Sequence, residues 1–459
     1  MRNGFGSFWL HDAPDPHGPR PRLEGEASAD LVIIGGGLSG LWTAYWHAKH
    51  SPGQRVVVLE KERVGYGASG RNGGWLSGKT VGLRKNLLKS GKTSAEALWM
   101  ERRLFAAVDE ARDLLESTGV DIGAAKGGWM QIARTPSGMA RMRAYVEQER
   151  QWGHHEEDVR LLSAQQTAER VAASDLHGAV YSPHAVGLHP AKMMYALAKL
   201  CTDLGVEIYE HSEVTDISGD TVQTPYATLR AETTVLATEG YTAALPGRKR
   251  QLLPMLSSMI ITEPLDPEDL DRIGWEHSEL VSCAEHMYFY AQKTADGRIA
   301  IGGRGKPYNW GSAPDTNGEL NPKTVRQLAD TVQELFPQVE LTPAHAWCGV
   351  LGVSRDWSPF IDYRPESGLL QLGGYAGQGV TASYLAGRTA AELLAGEETE
   401  LTRSTWVRPT PKNWEPEPLR WLGSNGVYKL YRLADSAERR DGGEKTSALA
   451  TIGHKVSGR

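Results

Sequence analysis

The order of apolar and polar positions fixes the first elements of the chain. Asp30-Leu31-Val32-Ile33-Ile34 is mostly apolar and β-branched, the pattern of a buried strand. A glycine-rich turn follows at 35–40, and residues 41–50 carry a helical pattern. Residues 55–60 (RVVVLE) form a second buried strand. The chain thus opens with a β-α-β unit, whose crossover is right-handed by strong preference. The helical period returns over residues 94–115, where Leu98, Phe105, Val108, Ala111 and Leu115 share a stripe. It appears again over 138–152, with Met139, Met142 and Val146 on one side. Pro190 opens a further helix after His189, with Met194, Leu197, Cys201 and Leu204 on its inner face. Residues 206–209 and 234–237 read as strands. Between 252 and 301 the pattern turns to β at 258–261, 287–290 and 298–301, which predicts an antiparallel sheet in a second domain. Asn321-Pro322 starts a helix with Val325, Leu328, Val332 and Leu335 inward, and 368–396 returns to strand, glycine-rich turn and helix. The start is polar and proline-rich and reads as an extended arm. Residues 432–459 are charged and poor in large apolar residues, which predicts a frayed tail.

Gly35-Gly36-Gly37-Leu38-Ser39-Gly40 fits G-x-G-x-x-G, between a strand and a helix. Glu60 ends the second strand, in the place where an acidic residue takes ribose hydroxyls. Gly35 makes the tight turn, Gly37 lets a pyrophosphate approach, and Gly40 lets helix pack on strand. The helix N-terminus offers unpaired N–H groups and partial positive charge to phosphates.

Composition narrows the class. Lys+Arg is 50 and Asp+Glu 56, a net charge of −6, which argues against a nucleic-acid partner. The three cysteines, Cys201, Cys283 and Cys348, lack metal-ligand spacing and are too few for a disulfide framework, which points to a reducing cytoplasm and no metal site. The longest apolar stretch, 31–46, is broken by four glycines and is too short to span a bilayer. Proline and aspartate near the start stand where a signal peptide needs an apolar run. Glycine supplies 51 of 459 residues, an excess that marks close backbone approaches of the kind nucleotide-binding proteins use.

The segment Val64-Gly65-Tyr66-Gly67-Ala68-Ser69-Gly70-Arg71-Asn72-Gly73-Gly74 sits just after the acidic strand. It combines a hydroxyl, a fixed cation and glycines able to run along a flat ring. Here the chain resembles the D-amino acid oxidase and glycine oxidase superfamily of FAD enzymes. Within it the chain is most similar to the gamma-glutamylputrescine oxidase-like group, whose members carry G-[YF]-G-A-S-G-R-N-G-G. Further ordered matches are Gly187-Leu188-His189-Pro190, Leu236-Ala237-Thr238-Glu239-Gly240, Gly302-Gly303-Arg304, Gly373-Gly374-Tyr375-Ala376-Gly377-Gln378-Gly379-Val380 and the tail from Trp414 to Trp421. The resemblance implies an α/β fold: a Rossmann-type FAD-binding domain of glutathione reductase-like topology, with a second α+β substrate domain built on an antiparallel sheet. The FAD domain is expected from 29–88, 161–250 and 349–396, and the substrate domain from 89–160 and 251–348. An arm (1–28) and a C-terminal extension with a flexible tail (397–459) complete the chain. The implied cofactor set is Gly35, Gly37, Leu38, Ser39, Gly40, Glu60, Lys61, Ala68, Ser69, Arg71, Asn72, Gly73, Gly74, Val214, Ala237, Thr238, Gly240, Gly374, Gly377, Gln378, Gly379, Val380 and Thr381. The helix opened by Gly377, Gly379 and Val380 can turn its positive end to the flavin N1–C2 carbonyl region.

The resemblance implies oxidation of a small-molecule amine: a hydride moves from the carbon beside nitrogen to flavin N5, and the imine hydrolyses. Positioning and a neutral amine matter more here than a strong base. Arg304 and Arg355 are candidates to grip a substrate carboxylate; the competing reading of each is a salt bridge. Tyr288 and Tyr290 alternate on a strand and so share a face. With Trp75 they are candidates to line the pocket, against plain packing. His286 is a candidate for proton transfer, against a structural role, and His154, His155 and His189 read as surface and helix-start residues. Sarcosine oxidase-like relatives place a lysine over the flavin, where a rough alignment puts Ala300, with Lys306 nearby. They also attach the flavin through a cysteine from which Cys348 is offset by one residue, so non-covalent FAD is expected. The electron acceptor is molecular oxygen in an oxidase, or a quinone or carrier in a dehydrogenase. A flavin monooxygenase and a non-catalytic flavoprotein are the remaining readings.

Overall fold

Two large sheets organise the computed structural model of the chain, which describes residues 1–79, 82–303, 305–313, 315 and 317–458. The first has Gly25–Ile34 at its centre, with Val56–Leu59 and then Glu207–Tyr209 parallel on one side. Ala227–Leu236 runs parallel on the other side. Its first half pairs antiparallel with Thr221–Gln223, and its end pairs parallel with Leu369–Gly373. Val32, Val57 and Val58 are fully buried, as expected for strands covered on both faces. The crossover helix Leu38–His50 packs on Gly379–Leu394. At Gly387 a Cβ would lie 2.7 Å from the backbone of Trp42 and Thr43, so only glycine lets the helices meet.

The second sheet holds nine strands among the described residues. Its middle is antiparallel: Pro343–Val353, Leu253–Thr262, Ile299–Gly303, Phe289–Lys293 and Leu280–Cys283. Trp129–Ala133 joins parallel to the last of these, followed by Gly178–Ser182 and Arg160–Ser163. The two latter strands therefore lie in this sheet, although 161–250 reads from sequence as part of the cofactor domain. Arg160–Ser163 is the half-buried edge strand, with Leu162 inward and Leu161 38% exposed, and Gly178–Ser182 is buried between it and Trp129–Ala133. Residues 349–353 also continue a strand of this sheet, so the expected boundary at 349 falls inside one element.

Both chain ends are more ordered than their composition suggests. Arg2–Asn3 pairs with His345 and Ala346, and the short helix Phe8–Asp12 buries Trp9 and Leu10. The expected frayed tail is instead two helices, Leu419–Asp441 and Ala448–Ser457. Val427, Tyr431, Ala434 and Glu438 are buried at helical spacing, a narrow stripe hidden among charges. In the Ser94–Glu116 helix the buried stripe is Ala97, Met100, Leu104, Val108 and Ala111, so Leu98 and Phe105 sit at its margin. Leu204 is 43% exposed and lies outside the inner face of its helix. Among the described residues no helix is long and apolar enough to cross a membrane.

Candidate active site

The glycine turn at the end of the central strand is shaped by close backbone approaches. Gly35 has φ +113°, and a Cβ there would lie 2.7 Å from the Ala237 carbonyl. A Cβ on Gly40 would lie 2.0 Å from the Gly35 carbonyl oxygen. Gly37 precedes the Leu38–His50 helix, whose N-terminus has no side-chain cap and no acidic residue in its first turn. Glu60 faces this turn: Gly36 N–H donates to its Oε2 (2.8 Å) and Glu62 N–H to its Oε1 (2.9 Å). Burial pushes its carboxyl up to about 7 against the pull of these donors. Ser69 Oγ accepts from Leu38 N–H (2.9 Å), and Ser39 Oγ donates to the Tyr375 hydroxyl (3.0 Å). Lys61 turns outward to Glu213 (2.7 Å). Val214 lines a separate cavity of about 250 Å³ with Leu245 and Arg248.

The segment from Ala68 to Gly74 is held from outside. Ser7 Oγ donates to the Gly70 carbonyl (2.6 Å), Trp9 Nε1 to that of Asn72 (2.9 Å) and Trp347 Nε1 to that of Arg71 (3.0 Å). Asn72 closes the turn on itself, donating to Ser69 O and accepting from Gly74 N–H. Arg71 is buried; its Nη1 meets Asp315 (2.6 Å), and its Nε and Nη2 have no partner among the described residues. A Cβ on Gly73 would meet the Tyr290 ring at 2.7 Å, and one on Gly74, with φ +71°, would meet the Leu188 carbonyl at 2.2 Å. Tyr290 is pinned by a hydrogen bond to Ser257 Oγ (2.8 Å), with Trp75 edge-on at 6.3 Å and Tyr288 at 6.5 Å.

The second glycine turn feeds Gly379–Leu394, again without a side-chain cap at Gln378 or an acid in the first turn. Other helices here are closed conventionally, at Thr93, Thr135, Asp266 and Asn321. The turn rests on Glu239, which sequence reasoning missed. Its Oε1 accepts from the N–H groups of Gly374 (2.9 Å) and Tyr375 (3.2 Å), and burial pushes its carboxyl up to about 7. Thr238 shares a hydrogen bond with Thr242 (2.8 Å), and Gly240 packs under Val350. Glu239 Oε2 and Thr381 Oγ1 are buried without partners among the described residues.

A cavity of about 260 Å³ lies against this turn. Ala376 of the turn lines it, with Met255, Tyr288, Leu351, Arg355 and Trp357. Arg355 gives its Nε to Glu415 (2.9 Å), and its two Nη groups have no hydrogen-bond partner among the described residues. Arg304 lies outside the described residues. His286 is not placed for proton transfer. Its Nε2 meets Glu438 Oε1 at 2.9 Å, and its N–H and that of Met287 donate to Asp435, so it clasps the C-terminal helix. Burial raises the Glu438 carboxyl, but Ser447 N–H, Arg141, His286 and Ser137 together hold it at about 2. That saturated donor set accounts for the His286–Asp435–Glu438 cluster without a metal ion. His154 is also not a surface residue: it is buried and meets Glu101 at 2.9 Å. His189 caps its helix as expected.

These groups fit a dinucleotide carrying a flat ring. Two helix N-termini whose N-cap residues make no side-chain cap face the glycine turns and suit a pyrophosphate and a ring carbonyl. Glu60 suits ribose hydroxyls, and the orphaned Thr381 Oγ1 lacks the partner a ligand would supply. The FAD dependent oxidoreductase family (DAO) matches residues 30–393. The chain is 28% identical over 399 residues to the probable oxidoreductase OrdL of Haemophilus influenzae, covering 83% of this chain and 86% of that one. It is 27% identical over 403 residues to gamma-glutamylputrescine oxidoreductase of Escherichia coli, covering 86% and 90%. The crystal structure of glycine oxidase from Geobacillus kaustophilus superimposes with a TM-score of 0.69 at 24% identity, covering 85% of this chain and all of that one. With its glycine turns, acidic strand end and helix termini in place, the chain belongs to the DAO family and is an FAD-dependent oxidoreductase.

Proposed function

We propose that this protein oxidises a small-molecule amine at the carbon beside nitrogen, giving an imine that water hydrolyses to a carbonyl compound and an amine or ammonia. The observation that carries this reading is the cavity joined to the second glycine turn by Ala376, lined by Arg355, whose Nη groups have no hydrogen-bond partner among the described residues. Bound FAD supplies the hydride acceptor. Gly35, Gly37 and Glu60 would hold its nucleotide end, and the 65–74 segment and the Gln378–Thr381 helix start its ring. In the cavity, Arg355 offers two parallel N–H donors to a carboxylate on the substrate. Tyr288, Trp357 and Leu351 displace water, and desolvation favours the neutral amine that can release a hydride. The named relatives support an amine or amino-acid substrate, since their names give gamma-glutamylputrescine and glycine. The Cys348 thiol is buried and pushed well above its ordinary value, which keeps it protonated and unreactive, and supports non-covalent FAD. Three unpaired cysteines agree with a cytoplasmic enzyme.

Oxygen is the acceptor in the first form of this reading. A second form passes electrons to a quinone or carrier, and Ala300, buried in an apolar cluster, favours it because its side chain offers no cation. Anaerobic mixing with amines, followed by air, tests both. Bleaching by an amine supports the reaction; rapid recovery with peroxide supports oxygen, and slow recovery the other acceptor.

A further inference from the structure

The family match ends at residue 393, yet much of the cavity wall lies beyond it. Trp414, Glu415, Gly423, Val427 and Tyr428 line the cavity together with Leu351 and Ala376. The helix carrying the last three is fastened at its far end. Asp435 takes the N–H groups of His286 and Met287 (2.9 and 2.8 Å), and Glu438 takes His286, Arg141 and Ser137. The final helix closes the corner, where Trp357 Nε1 donates to the Ser457 carbonyl (2.8 Å). The clasp falls directly before Tyr288, so the residue that sets one wall is covalently tied to the latch of the other.

Gly423 is anomalous in this wall. It sits inside the Leu419–Asp441 helix, where glycine is among the least favourable residues. Packing does not call for it: a Cβ there would meet nothing within 4 Å. At Gly387 and Gly40, by contrast, a Cβ would collide with backbone. Gly423 lines the cavity, and the space a Cβ would take beside it is open.

We propose that the C-terminal helix pair is the distal wall of the amine pocket, and that Gly423 sets how long an apolar or aromatic tail the substrate carries. This rests on the amine reading above. The tail would run from Arg355 along Trp414 and Val427 toward Gly423, in an aromatic-lined space that suits a flat or branched apolar group.

The test uses FAD-loaded wild type, Gly423→Ala and Gly423→Phe. Each is titrated with benzoate, phenylacetate and 3-phenylpropionate, read by the shift of the visible flavin band. Bound flavin content and reduction by dithionite serve as the folding control. The expected result is that Gly423→Phe weakens 3-phenylpropionate by about tenfold or more while benzoate changes about twofold or less. Gly423→Ala, which a helix favours, should show the same order with a smaller effect. Equal weakening of all three ligands, or no change in any, overturns the proposal. A wild type whose band shifts with these ligands but that no amine bleaches overturns the amine reading and leaves the wall assignment standing.

Discussion

Substituting Gly40 with alanine probes the cofactor cradle directly. The added Cβ would lie 2.0 Å from the Gly35 carbonyl oxygen, and ordinary contact begins near 3.4 Å. The helix must therefore retreat by about 1.4 Å, because the obstacle is backbone and has no rotamer to change. Overpacking of this kind costs about 1–3 kcal/mol. The retreat also pulls the N-terminus of Leu38–His50 from the phosphate site, where a helix end contributes up to about 2 kcal/mol. The overpacking lowers the stability of the fold, and the lost helix-end contribution should lower FAD affinity up to about thirtyfold, since 1.4 kcal/mol is one decade. Titration of the apoprotein with FAD, followed by flavin fluorescence, measures this. Gly423→Ala is the control, because its methyl meets nothing within 4 Å and lies outside the cradle. Equal FAD affinity in Gly40→Ala and wild type would refute the assignment of this turn to the pyrophosphate.

Three further outcomes follow from the geometry. Burial raises the Glu60 carboxyl to about 7 from an ordinary 4.5, so its uncharged form favours the FAD-free fold; that contribution is complete below pH 4.5 and is lost as pH rises through about 7. Thermal melts of the apoprotein between pH 5 and 8 should show a shallower fall for Glu60→Gln than for wild type, and parallel curves would contradict the burial argument. Arg355→Met should raise KM for amines that carry a carboxylate about ten- to a hundredfold, the worth of a charged hydrogen bond, and leave simple amines nearly unchanged in steady-state assays. Glu438→Ala strands Arg141 and His286 and should lower stability by about 1–3 kcal/mol. Limited proteolysis should then release the C-terminal helices while FAD content stays at the wild-type level; a protected C-terminus would show that the clasp is not what holds them.

The cofactor cradle was legible because backbone collisions leave glycine no substitute. Gly35, Gly40 and Gly74 each abut a carbonyl oxygen, and such positions print as fixed spacing in the sequence. The opening β-α-β unit was legible for a related reason, since Val32 and Val58 are buried on both faces and leave an unbroken apolar run. The cavity was not legible. Met255, Leu351, Trp414 and Tyr428 converge from distant parts of the chain, and no local period encodes that meeting. His286 was open to two readings, because the partner that decides between them, Glu438, lies 152 residues away. The C-terminal helices were missed since their buried stripe is narrow and their remaining positions are charged. Glu239 carried a weak signal: an acid at a glycine-flanked strand end, where its carboxylate reaches the N–H groups of a neighbouring turn.

The central claim is an amine pocket that opens onto bound flavin. Its most direct test is the visible spectrum of the FAD-loaded protein under nitrogen, with amino acids, N-methyl amino acids, polyamines and gamma-glutamyl polyamines added in turn. The account predicts that one class bleaches the flavin band and that the carboxylate-bearing members of that class lose this ability in Arg355→Met. A flavin that stays oxidised with every amine but is bleached by NADPH contradicts the account and makes the protein a monooxygenase.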